Sequence, residues 1–212
     1  MTEMVFPSAD WIKAAYEAVN ASEEYKKVAK DWEGDFKCTI DVDDIAQKDF
    51  TAPEVVEGFV AMIFTADKET RDKYIGTPMD ALMKKLTGLA DPFNDLKSFE
   101  DAKEKVDFTD VAKKMGELKP EDYNKAQTFM LAGFWHGEMT GLKIIGPEDN
   151  TDARFVLAGP FGNWKEMVYG RQDATKLVMS GRLKLTGDMS YMMKNIRSIV
   201  QFTRDFAKPL SG

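Results

Sequence analysis

The sequence predicts an α+β domain: a mostly antiparallel sheet with helices on one side and a helical insertion after the first strand. Three observations lead to this prediction. Strand patterns occur near residue 38 and again after residue 128, helical stripes of apolar residues fill residues 51–128 between them, and the chain closes with further helices. Because there is neither an internal repeat nor a low-complexity tract, we treat residues 1–212 as one domain with an insertion at 51–128.

Two short helices are predicted at the start of the chain. Ser8 or Asp10 suits the N-cap of the first, because oxygens of these side chains accept hydrogen bonds from free backbone N–H groups. Ser22 suits the N-cap of the second helix. The apolar spacing of that helix continues to Trp32, so we expect Gly34 to end it.

Strand patterns recur at five places. Phe36, Cys38 and Ile40 alternate with polar residues, which is the pattern of a half-buried strand. The four later predicted strands are residues 129–135, 137–145, 154–158 and 182–186. Glycine and proline residues separate several of these segments and predict the turns between them.

The segment 51–128 carries two apolar stripes at helical spacing. One stripe runs from Val55 to Phe64, with Pro53 placed for the first helical turn, and the other runs from Met79 to Leu89. Each stripe must bury against something. A lid over the sheet, a homodimer interface and a surface for another protein all remain open.

Helices are also predicted at 163–169 and 173–180, and a last helix is predicted from Asp188 to Ala207. On a continuous helix, Met189, Met193, Ile196 and Val200 would share one side. The whole apolar arc would be about 180° wide, whereas a helix resting on a sheet needs only about 100°. We therefore expect this helix to touch a second apolar surface, either a ligand or the insertion.

The charge and composition of the chain argue against several classes of protein. The net charge of −7 argues against a general nucleic-acid binder, which needs a basic surface for the phosphates. Residues 151–212 nevertheless carry net +5, which leaves transient contact with anionic lipid head groups open. The N-terminus lacks the pattern of a signal peptide, and no run of 18 apolar residues occurs, so a cytoplasmic protein is expected.

The residues needed for common catalytic sites are scarce. His136 is the single histidine and Cys38 the single cysteine, which gives little support to a nucleophile–base pair or a metal site. No phosphate-binding glycine motif is present. We expect no cofactor, no metal and no catalytic residue, although Glu138 and Asp188 keep an enzyme acting on a hydrophobic substrate as an alternative.

The C-terminal region resembles a known family. Gly159-Pro160, Trp164, Gly170, Asp173, Met179, Gly181, Leu183-Lys184 and Gly187-Asp188 follow the order typical of the sterol carrier protein (nonspecific lipid-transfer) family. The similarity covers roughly residues 8–45 and 129–207 and is most specific in the last sixty residues.

The resemblance implies a five-stranded sheet whose helices enclose an apolar tunnel for a sterol, a fatty acid or another acyl lipid. Methionine side chains are flexible and suit the walls of such a tunnel, and five of them fall within residues 167–193. The predicted lipid-binding residues are Met167, Met179, Met189, Met192, Met193, Ile196 and Val200. The expected partner is a lipid or another apolar small molecule, with a dimer left open.

Overall fold

The computed structural model describes residues 4–210 and confirms an α+β architecture. The sheet has the order β3-β2-β1-β4-β5. The elements in chain order are α1 (Ala9–Asn20), α2 (Glu23–Val28), β1 (Phe36–Asp41), α3 (Asp44–Asp49), α4 (Pro53–Ile63), α5 (Lys68–Asp72), α6 (Pro78–Thr87), α7 (Pro92–Asp95), α8 (Phe99–Lys105), α9 (Phe108–Glu117), α10 (Pro120–Tyr123), β2 (Gln127–Trp135), β3 (Glu138–Ile145), β4 (Phe155–Pro160), α11 (Phe161–Val168), α12 (Ala174–Met179), β5 (Lys184–Gly187), α13 (Met189–Lys194) and α14 (Ile196–Ala207).

The sheet is mostly antiparallel, as the sequence predicted. Strand β2 pairs antiparallel with β1 and β3, and β5 pairs antiparallel with β4. The central pair, β1 with β4, is parallel. Parallel neighbours need a long connection, and here that connection contains the helical segment and the β2–β3 hairpin.

The first two helices begin at the predicted caps. The hydroxyl of Ser8 accepts a hydrogen bond from the Trp11 N–H at 3.1 Å, and that of Ser22 accepts one from the Tyr25 N–H at 3.2 Å. Helix α2 ends at Val28, however, and not at Gly34. The residues after Val28 form a turn in which Trp32 is buried and stacks on Phe36 of β1.

The segment between β1 and β2 is helical, as predicted, and the residues of its apolar stripes are buried or half-buried against the core of this chain. Helix α4 begins at Pro53, packs against α9 and α1, and buries Val56 and Val60. Helix α6 buries Leu82 and Leu86 and ends at Gly88, whose φ of 72° is readily adopted by glycine. The segment thereby becomes part of the same hydrophobic core as the sheet.

The last predicted helix is divided in two, which corrects the sequence interpretation. Helix α13 ends at Lys194, and α14 begins at Ile196 after Asn195, whose φ of −110° and ψ of 23° are not helical. The Asn195 side-chain amide donates to the Tyr191 carbonyl at 3.0 Å and competes with the helical hydrogen-bond pattern. A helical wheel drawn from 188 to 207 therefore does not describe the real faces.

Strand β5 begins two residues later than predicted and ends at Gly187. Gly187 has a φ of 128°, and a Cβ there would lie 2.2 Å from the Arg154 carbonyl oxygen. Glycine is therefore needed where β5 approaches β4. Within residues 4–210, no helix has both the length and the apolar character required to cross a bilayer.

Candidate functional site

The strongest candidate site is a pair of neighbouring apolar cavities along strand β1. Alternate residues of β1 point to the helical side of the sheet, where Phe36, Cys38 and Ile40 are buried. Helices α1, α11, α12 and α14 contribute to the helical side of one cavity, and the helical segment between β1 and β2 encloses much of the other.

The first cavity, which we call the sheet cavity, has a volume of about 40 Å³. Its sheet side consists of Phe36, Cys38, Ile40, Met130, Ala132, Leu142 and Leu157. Its helical side includes Trp11, Trp164, Met167, Val168, Ala174, Ile199, Phe202, Thr203 and Phe206. The Trp164 indole N–H donates to the carbonyls of Thr39 and Gly159, so its apolar ring edge is left for the cavity wall.

The second cavity, which we call the strand-end cavity, lies at the carboxyl end of β1 and has a volume of about 60 Å³. Its walls come from the end of β1 and from the helical segment: Ile40, Asp41, Val42, Ala46, Phe50, Phe59, Met62, Met79 and Met115. Phe6, Pro7, Thr128 and Phe161 complete it. Since about 10–15 Å³ of such space holds one water, each cavity as it stands has room for only a few water molecules.

Two residues line both cavities, namely Phe6 and Ile40. Phe6 is 3% exposed; its ring stacks on Phe161 at 5.4 Å between centroids and meets Trp11 edge-on at 4.6 Å. The two cavities are thus separated by little more than these side chains.

The cavities offer no positive charge to a ligand. Among the residues of the described range 4–210, neither wall contains lysine, arginine or histidine. The carboxylate in these walls is that of Asp41, which accepts a hydrogen bond from the Gln127 side chain at 2.7 Å. An anion buried in the strand-end cavity would lie near this carboxylate, and in neither described wall would it meet a cation, so the walls favour an uncharged, apolar occupant.

The structure brings only Met167 of the predicted lipid-binding residues into these walls. Met192 is buried, and Ile196 and Val200 are half-buried, but none of the three lines either cavity. Met179, Met189 and Met193 are exposed on the C-terminal part of the chain. Contact of these residues with lipid stays a prediction, as does contact of that basic part with a membrane.

Other methionines occupy the walls instead, and the sequence reasoning missed them. Met62, Met79 and Met115 line the strand-end cavity, and Met130 lines the sheet cavity beside Met167. Met130 could have been found from strand alternation, because it shares a face of β2 with Ala132. The other three lie on helices whose position over β1 no local pattern reveals.

The residues that could support catalysis are not assembled. The Cys38 thiol lies inside the sheet cavity, and burial raises its pKa from 9.0 to about 12, so it is no ready nucleophile at neutral pH. His136 lies on the β2–β3 turn, where its Nε2 is 2.8 Å from Glu33 Oε1. Asp188 caps α13 and pairs with Arg154; the Tyr191 backbone N–H, and then Arg154, hold its carboxyl pKa below the usual value.

We expect His136→Asn to change lipid affinity by less than about threefold, because His136 is exposed and lines neither cavity. Asparagine is the suitable substitute, since residue 136 has a φ of 48° and asparagine tolerates that region. Titration with a fluorescent fatty acid would measure the effect. Loss of all binding in a folded variant would point to a direct role for His136.

Comparison with known proteins agrees with the fold. The model of the SCP-2 sterol transfer family matches residues 93–199. The crystal structure of a sterol carrier protein 2 superposes with a TM-score of 0.52 at 16% identity, covering 97% of this chain and 98% of that one. A conserved hypothetical protein from Thermus thermophilus, itself only suggested to be a sterol carrier protein, gives 0.54 at 17% identity, covering 99% and 92%. No curated protein matches the sequence.

Proposed function

The chain belongs to the SCP-2 sterol transfer family, and from that premise we propose that it binds and carries a lipid whose apolar part fills the two cavities along β1. The observation that carries the proposal is the pair of adjoining, cation-free apolar cavities between the sheet and its helices. We propose no chemical reaction, because Asp188 caps a helix, His136 pairs with Glu33 at a turn and Cys38 is a buried thiol. Glu138 is exposed at the start of β3 and lines neither cavity.

Burial of an acyl chain or a sterol is enough to drive binding. Each methylene moved from water into an apolar wall contributes about 0.8 kcal/mol, so ten carbons give about 8 kcal/mol before the entropic cost of association. The present volumes of about 60 and 40 Å³ are small for such a ligand. Binding must therefore enlarge the cavities, and the five methionines in their walls can change rotamer to allow it.

The polar end of the ligand should remain at the surface. A carboxylate drawn into either cavity would lose its hydration without gaining a cation, which is costly. The fitting ligands are consequently fatty acids held tail-first, acyl lipids, and sterols with a single hydroxyl group.

We further propose that residues 51–128 act as the wall and lid of the strand-end cavity within one domain. Phe59 of α4, Met79 of α6 and Met115 of α9 face its interior. Opening for a ligand would then require these helices to shift against β1.

Two measurements on the full-length protein test the proposal. Native mass spectrometry of protein purified without detergent should show a co-purified lipid, and delipidated protein should bind a fluorescent fatty acid saturably at a one-to-one ratio. Unlabelled palmitate should displace the probe, whereas a short carboxylate such as butyrate should not. If no lipid co-purifies and the titration does not saturate, the proposed function is wrong.

A further inference from the structure

We infer that Phe6 sets the length of lipid chain that the protein accepts, by dividing one long site into two short ones; this rests on the proposed function. The division follows from the walls themselves. Phe6 and Ile40 are the residues common to both cavities, so a ligand that occupies both must cross the boundary at which these two side chains lie.

The two cavities follow one another along β1. Phe36 and Cys38 line only the sheet cavity, Ile40 lines both, and Val42 lines only the strand-end cavity. Neighbouring β2 shows the same order in reverse, with Met130 in the sheet cavity and Thr128 in the strand-end cavity, as its antiparallel register requires. Joined together, the cavities would form one channel parallel to the strand.

The lengths of the cavities along β1 indicate which alkyl chains fit them. A strand advances ~3.3 Å per residue, so the wall from Phe36 to Ile40 spans ~13 Å and that from Phe36 to Val42 spans ~20 Å. An extended alkyl chain advances ~1.3 Å per carbon, given carbon–carbon bonds of ~1.5 Å. The sheet cavity alone therefore matches about ten carbons, and the joined channel about fifteen.

Of the two dividing residues, Phe6 is the one that can move. Ile40 lies on the central strand, where its backbone is paired on one side with Thr128 and on the other with Gly159. Phe6 precedes α1 in a stretch, residues 4–7, that makes no backbone hydrogen bond to another described residue. Its ring is held by packing on Trp11 and Phe161.

Residues 4–7, which include Phe6, also pack against the helical segment. At Gly58 of α4, an added Cβ would be 3.1 Å from the Ser8 Cβ and 3.5 Å from a Val5 methyl group. A shift of α4 away from β1 would therefore release the Phe6 stretch together with the lid. Withdrawal of the Phe6 ring joins the cavities, and its return separates them.

The test is a series of saturated fatty acids from 8 to 18 carbons, each competing with a fluorescent fatty acid for the full-length protein. Removal of the ring in Phe6→Ala should raise affinity for 16 carbons at least about tenfold relative to 8 carbons, which is the gain from burying about two of the roughly five further methylenes that the joined channel accepts. Phe206→Ala is the matched control. Phe206 is equally buried and also contacts Trp11, but it lines the sheet cavity alone.

The inference is overturned if Phe6→Ala and Phe206→Ala give the same ratio of long-chain to short-chain affinity. If the alanine variant does not fold, Phe6→Leu and Phe6→Trp provide the test instead. The ratio of long-chain to short-chain affinity should rise for the leucine variant and fall for the tryptophan variant. Failure of the wild type to bind any chain would instead refute the proposed function itself. Binding by all variants with an unchanged length preference would refute only the role of Phe6.

Discussion

Replacement of Ala132 by leucine is expected to weaken binding of a long-chain fatty acid about 50-fold while the protein stays folded. Ala132 is 3% exposed on β2 and lines the sheet cavity. The three added carbons take the place of about three ligand methylenes, worth about 0.8 kcal/mol each, or about 2.4 kcal/mol in all. Fluorescence titration with the fatty acid measures the loss.

Stability should change little in this variant. The leucine fills part of a cavity of about 40 Å³, which is favourable, and it crowds its neighbours, which costs about 1–3 kcal/mol in a fully packed core. We expect the free energy of unfolding to stay within about 2 kcal/mol of wild type, as measured by urea denaturation.

Ala158→Leu is the matched control for Ala132→Leu. Ala158 lies on β4 but on the opposite face of the sheet, where it is half-buried and lines neither cavity. Binding by this variant should resemble wild type. Undiminished binding by folded Ala132→Leu would show that the ligand does not use the sheet cavity.

The architecture was predictable because its signals are local. Side chains alternate along β1 between two environments, and serine oxygens cap α1 and α2, so a short window of sequence contains the whole pattern. The end of α2 was not predictable in the same way. Ala29 and Trp32 keep helical spacing because both are buried, but the backbone that buries them is a turn. Periodicity indicates which residues are buried, whereas tertiary packing determines whether their backbone forms a helix or a turn.

The ligand residues were predicted less well for a related reason. The wheel that grouped Met193 with Ile196 assumed one continuous helix, and the break at Asn195 rotates the second part relative to the first. Helix α14 therefore buries Ile199 and Phe206, which line the sheet cavity, and leaves Ile196 half-buried. Asn195 caps α13 and precedes α14. In the sequence, such a polar residue cannot be distinguished from an exposed residue within one longer helix.

The cavities are formed by residues that are far apart in the sequence. Phe6, Ile40 and Phe161 come from three distant parts of the chain and meet only when β1 pairs with β4 and α11 folds back over the sheet. The family resemblance predicted an apolar interior for lipid, and methionine suits its walls because the side chain is flexible. Which methionines form the wall depends on how the helical segment packs over β1, and that follows from the whole set of long-range contacts.

Alkaline pH is expected to destabilise the protein strongly, because three buried groups resist ionisation. Burial raises the pKa of the Cys38 thiol from 9.0 to about 12. Burial also raises the phenol pKa of Tyr74, and burial followed by the charge of Asp205 raises that of Tyr25. Between pH 9 and 12 the unfolded chain loses the thiol proton while the folded chain keeps it, so stability falls as pH rises.

The expected loss is large compared with ordinary stability. One such group costs up to about 1.4 kcal/mol per pH unit, so Cys38 alone removes about 3 kcal/mol between pH 9 and 12, against a typical total of about 5–15 kcal/mol. The tyrosines add to the slope from about pH 9 and most strongly above pH 10, because unfolded tyrosine is half ionised near pH 10. Urea denaturation at pH 8, 9, 10 and 11 would measure the slope.

Cys38→Ala separates the thiol from the tyrosines. This variant should lose more than half of the fall in stability between pH 9 and 10 and keep the tyrosine contribution, which is largest above pH 10, whatever the fixed cost of the smaller side chain. The slope is the informative quantity, because a packing defect lowers stability equally at every pH. An unchanged slope between pH 9 and 10 would mean that the thiol ionises as readily in the folded protein as in the unfolded chain, and that the wall of the sheet cavity admits water to Cys38.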